Sequence, residues 1–123
     1  MGDHPRDEVI AVCSAKPGSV EDYPFGDEVA AFKVAGKMFA LSRLPATPLT
    51  VSLKCEPGLA EALRDGHSAV LPGYHLNRRH WNTVIIDGSL NDQMIEEMIE
   101  DSYDLVVSKL SRARRDGLGW RPA

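Results

Sequence analysis

The chain has 123 residues, 43% of them hydrophobic and 26% charged, the makeup of one ordinary globular domain, which excludes global disorder and a fibrous architecture. A formal net charge of −4 argues against broad, non-specific adhesion to nucleic acid, because phosphate contacts need local Lys and Arg that surrounding carboxylates oppose. No apolar run is long enough to span a bilayer and Met1-Gly2-Asp3-His4-Pro5-Arg6-Asp7-Glu8 has no apolar signal-peptide stretch, so a cytoplasmic location without a membrane partner is expected.

Along residues 6–15, Val9, Ile10, Val12 and Cys13 fall mostly on one helical face, Pro5 suits a first turn, and Pro17-Gly18 ends the helix. Glu21-Asp22-Tyr23-Pro24-Phe25-Gly26-Asp27 reads as an ordered loop whose two aromatics can pack downward. Residues 29–34 and 37–41 are two short runs parted by Ala35-Gly36, which predicts an antiparallel hairpin. In 49–54, Leu49, Val51 and Leu53 alternate with polar residues as a half-buried strand does. A short helix follows over 57–64, stopped near Gly66.

The β-branched run 81–87 predicts another strand, closed by the turn pair Asp87-Gly88. From Met94 to Leu110 apolar residues recur three and four apart, the pattern of one long amphipathic helix. Acidic Asp92, Glu96 and Glu97 precede basic Lys109, Arg112, Arg114 and Arg115, which suits the helix macrodipole. One domain over 1–115 and a loose tail over 116–123 are expected, and the element order implies an α+β fold with an antiparallel sheet backed by helices.

The string Pro72-Gly73-Tyr74-His75-Leu76-Asn77-Arg78-Arg79-His80-Trp81-Asn82-Thr83-Val84 resembles the signature of the MmcQ/YjbR family, in which a Gly-Tyr-His-Met-Asn-Lys-Lys-His-Trp-Asn-Thr type run precedes a strand. Leu76 stands where Met is common and Arg78-Arg79 where Lys-Lys is common. Glu21-Asp22-Tyr23-Pro24-Phe25-Gly26, Phe32-Lys33-Val34, Gly36-Lys37-Met38-Phe39-Ala40, Leu53-Lys54-Cys55 and Ser102-Tyr103-Asp104-Leu105-Val106 extend the resemblance over nearly the whole chain. It implies a CyaY-like, double-wing arrangement, a curved antiparallel sheet with helices behind it, and a DNA-binding role.

On that reading Lys33, Lys37, Lys54, Arg78 and Arg79 supply cationic donors to phosphate or guanine, Asn77 and Asn82 read adenine edges, and His80 belongs to the same surface. The alternative is a protein-interaction or small-ligand module with a pocket around Tyr23, Phe25, Tyr74, His75 and Trp81. Cys13 and Cys55 form no Cys-x-x-Cys pattern, and His75 and His80 are five apart, so no metal or other cofactor is expected. Glu96, Glu97, Glu100 and Asp101 read as a solvated helix face, and the C-terminal Lys109, Arg112, Arg114, Arg115 and Arg121 as the complement of a helix end. No sequence pattern of a nucleophile elbow, phosphate-binding loop or zinc protease occurs, and catalysis is not expected.

Overall fold

A computed structural model describes residues 5–73 and 76–120. The elements run α1 (Pro5–Ala15), β1 (Val20–Asp22), β2 (Val29–Val34), β3 (Lys37–Arg43), β4 (Leu49–Lys54), α2 (Pro57–Gly66), β5 (Val70–Pro72), β6 (Trp81–Ile86), α3 (Asp92–Val107) and α4 (Arg112–Gly117). The strands form an open antiparallel sheet in the order β1-β2-β3-β4-β6-β5. The fold is α+β, as the element order implies.

One face of this sheet carries the core. Ala30, Phe32, Val34, Ala40, Val51, Leu53 and Val84 cluster with Ile95, Ile99, Tyr103, Val106 and Val107 of α3, and Val9 and Cys13 of α1 join them. The β2–β3 turn uses Ala35 at φ 51° and Gly36 at φ 78°, the two left-handed residues that a tight hairpin of matching twist requires. The β2–β3 register shifts between Phe32 and Lys33, whose partners are Ala40 and Met38. Phe39 is the extra residue of this bulge and turns into the core beside Ala40. Its ring meets that of Tyr103 edge-on at 5.4 Å and 87°, a favoured aromatic geometry.

The β3–β4 ladder stops at the pair Ala40 and Leu53. One rung further on, the fully buried Ser102 hydroxyl donates to the Phe39 carbonyl at 2.5 Å and accepts from the Lys54 amide at 2.8 Å. A side chain of α3 thus supplies both backbone groups where the two strands part.

Three expectations change. The short edge strands β1 and β5 were not expected: β1 is exposed throughout and β5 has three residues ending in Pro72, so neither shows a burial period. The apolar pattern over 94–110 is not one helix. Lys109 and Leu110 make i→i−3 bonds to Val106 and Val107, and Ser111 then caps α4 by accepting from the Arg114 amide at 3.3 Å. The Arg115 guanidinium reaches back to the carbonyls of Ser108 and Leu110, so one of the expected helix-end cations serves the α3 terminus from the next element. Finally, the segment expected to be loose beyond Asp116 is packed through Trp120. Leu118 and Trp120 lie against the core, and the indole Nε1 donates to Asp104 at 2.8 Å. Gly18 allows this closure, since a Cβ there would stand 2.5 Å from Leu118 Cδ2.

Candidate functional site: a cavity on the open sheet face

Strand alternation sends every second side chain to the face opposite α3. Leu41, Ser52, Thr83 and Leu71 lie in one row across four strands, and Val29, Arg43, Thr50 and Ile85 in the next. Phe25 from the β1–β2 loop and Leu76 from the loop before β6 stand over these rows, and together they bound a cavity of about 640 Å³. Within this apolar surround, Ser52 and Thr83 share a hydroxyl–hydroxyl bond of 2.8 Å. Both are buried although they face away from the helices, at 8% and 6% exposure. Phe25 and Leu71 are 62% and 43% exposed, large apolar groups at the mouth of a concave site, the setting in which exposed hydrophobes point to binding.

The basic residues expected at a nucleic-acid surface come to one end of the sheet. Lys33 lies near the end of β2, Lys37 begins β3, Lys54 ends β4, and the 77–80 turn leads into β6. The His80 carbonyl accepts from the Cys55 amide at 2.8 Å, which sets that turn beside Lys54. Lys33 forms an ion pair with Asp22 at 2.9 Å. Its hydrogen bond, followed by that of the Tyr23 amide, holds the Asp22 carboxyl below the usual carboxylate range.

The Lys54 ammonium sits 5.6 Å from the Trp81 ring centroid. Its pKa is lowered, first by burial and then by the charges of Lys109 and Lys37. Arg78, Arg79 and His80 are exposed. The Asn77 side chain accepts from the Arg79 amide at 2.9 Å, shaping the turn as an Asx residue does.

Asn82 departs from its expected role. It pairs with Leu53 on the helix-backed face, is 3% exposed, donates to the Ala60 carbonyl at 3.4 Å and accepts from Arg64 at 3.2 Å. Its amide is therefore committed inside the protein and does not meet a base edge. Of the expected pocket residues, Phe25 lines the cavity. Tyr23 is 40% exposed and donates to Glu21, which with burial and Asp27 raises its pKa.

Trp81 is buried at 6% and does not line the cavity: it packs under Gly73, where a Cβ would stand 2.7 Å from Trp81 Cβ. Tyr74 and His75 lie outside the described residues. Leu41, Arg43, Thr50, Ser52, Leu71, Leu76, Thr83 and Ile85 were not anticipated. The alternation of polar Thr50 and Ser52 in β4 signalled their face, but a polar-facing strand reads as solvated until loops are seen to cover it.

Elsewhere, Glu100 pairs with Lys16 across α3 and the end of α1. Among the described residues no group of three or more His, Cys, Asp or Glu side chains is placed to hold a metal. No described helix is long and apolar enough to cross a membrane.

The YjbR family model matches residues 14–105. The chain belongs to the YjbR family. It is similar to the Escherichia coli protein YjbR, with 39% identity over 108 residues covering 88% of this chain and 92% of that one. It is also similar to Escherichia coli YbdF, with 36% identity over 101 residues covering 81% and 80% of the two chains. The crystal structure of a Deinococcus radiodurans protein superposes with a TM-score of 0.88 at 38% identity, over 96% of this chain and 92% of the other. A Pseudomonas syringae protein does so with a TM-score of 0.71 at 30% identity, over 81% and 97%. The strands and loops that form the cavity all lie within the segment matched to the YjbR family.

Proposed function

We propose that this YjbR-family domain binds a small molecule in the cavity on its open sheet face. The observation that carries this reading is the cavity of about 640 Å³ with its apolar walls and its buried Ser52–Thr83 hydroxyl pair. Small-molecule sites occupy roughly 300–1,000 Å³, are mostly apolar and use a few placed polar groups. The test is a fluorescence titration with phenylnaphthylamine, a neutral apolar dye, against the native chain and Leu41→Trp. Leu41 is half-buried in the cavity wall, so the added indole fills space. Loss of dye binding in a variant that keeps its thermal midpoint supports the site, and unchanged binding in that variant overturns it.

A second reading, DNA binding, is favoured by one observation: Lys37, Lys54 and the exposed Arg78 and Arg79 gather at the same end of the sheet. Anisotropy of labelled single- and double-stranded DNA at two salt concentrations tests it. Salt-sensitive binding that an Arg78→Ala/Arg79→Ala variant abolishes is the expected result, and absence of binding at low salt overturns it.

A further inference from the structure

We infer that the ligand of the open-face cavity is a neutral, largely apolar molecule with an N–H or O–H donor midway along one edge, which it gives to Ser52; this rests on the reading of that cavity as a ligand site. Leu41, Ser52, Thr83 and Leu71 are successive partners across β3, β4, β6 and β5, and all of them line the cavity. With neighbouring strands about 4.8 Å apart, this row is roughly 14 Å long. Its polar part is central, two hydroxyls bonded at 2.8 Å, and a leucine stands at either end. A complementary ligand therefore carries its polar group between apolar flanks rather than at a terminus.

The hydroxyl pair decides what that group is. Either oxygen could donate in the Ser52–Thr83 bond. If Ser52 donates, its oxygen keeps two lone pairs, and if it accepts, it keeps a lone pair and its proton. Ser52 thus has acceptor capacity in both arrangements and a proton to give in only one, which favours a donor on the ligand. Depth decides the charge. Among the described polar residues of the lining, Ser52 and Thr83 are buried, whereas Thr50 is half-buried and Arg43 exposed. An ammonium brought to that depth would exchange its hydration for neutral hydroxyls, a costly transfer. A neutral N–H or O–H gives up less and regains a hydrogen bond.

The experiment compares three molecules of one shape that differ at the middle of one edge: carbazole offers N–H, dibenzofuran an ether oxygen and fluorene a methylene. Equilibrium dialysis gives their affinities for the native chain and Ser52→Ala, and phenylnaphthylamine on the native chain and Leu41→Trp tests the cavity itself. Carbazole should bind the native chain about 5- to 10-fold more tightly than either isostere, the scale of one neutral hydrogen bond at a buried site. In Ser52→Ala that preference should shrink below about twofold, and fluorene should change by less than about twofold, because it makes no bond to the lost hydroxyl. The order of the three on the native chain is decisive without any variant. Carbazole no tighter than fluorene and dibenzofuran, or a preference that a folded Ser52→Ala retains, would overturn the donor inference while leaving the cavity reading standing. Failure of phenylnaphthylamine to bind, or its indifference to Leu41→Trp, would remove the cavity reading itself.

Discussion

Replacing Ser102 by Ala should unfasten the sheet where β3 and β4 part. The hydroxyl is fully buried and serves two backbone groups, donating to Phe39 at 2.5 Å and accepting from Lys54 at 2.8 Å. A buried backbone group left without a partner costs about 1–3 kcal/mol, and partial relaxation of the strands brings the pair to about 2–4 kcal/mol together. Unfolding entropy of about 2.1 cal/mol/K per residue over 123 residues means that a loss of about 3 kcal/mol lowers Tm by about 12 °C.

Urea titrations followed by circular dichroism give the free energy, and hydrogen exchange at the Lys54 amide reports the bond itself. Ser108→Ala is the control: that hydroxyl donates to Leu105 on the surface at 3.0 Å and should change stability by less than about 0.5 kcal/mol. A Ser102→Ala protein within about 0.5 kcal/mol of the native chain, with Lys54 exchange unchanged, would refute the role assigned to this hydroxyl.

Gly73→Ala should destabilise by about 1–3 kcal/mol, because the new Cβ would lie 2.7 Å from Trp81 Cβ and 3.1 Å from the Trp81 carbonyl; dye binding should fall with it, since Pro72 and Leu76 beside it line the cavity. Ser52→Ala should cost more than is expected from its half of the double change Ser52→Ala/Thr83→Val, with a coupling of about 0.5–3 kcal/mol in a urea-based cycle, and additive losses would show that the 2.8 Å bond contributes nothing. Burial pushes the Cys13 thiol from 9.0 up to about 12, against a smaller lowering by Lys16. The folded state thus keeps a neutral thiol while the unfolded chain ionises it, so its contribution is full below pH 9 and is lost as pH rises toward 12. Stability should therefore fall by up to about 1.4 kcal/mol per pH unit more steeply in the native chain than in Cys13→Ala, and parallel pH profiles would contradict this.

Sequence alone determined the class of fold and most of its elements. The alternation in 49–54, the hairpin pair Ala35-Gly36 and the amphipathic stripe of α3 are local signals, set by side-chain period and by the turn geometry of a few neighbouring residues, and the structure follows them. The 72–84 string likewise carries the signature of the YjbR family, whose model matches residues 14–105. What sequence could not determine was which groups meet.

Lys37, Lys54 and Arg79 are far apart in the chain, and only antiparallel pairing carries them to one end of the sheet. A one-residue parity decides that Asn82 faces inward to Ala60 and Arg64 while Thr83 beside it faces the cavity. Trp81 was expected at a pocket and is packed beneath Gly73 instead, a contact defined by a backbone bond from Gly73 to Trp81 at 3.0 Å. The cavity depends on two loops, around Phe25 and Leu76, folding over rows of side chains from four strands. Concavity is a property of surfaces brought together across the sheet, and no single segment contains it.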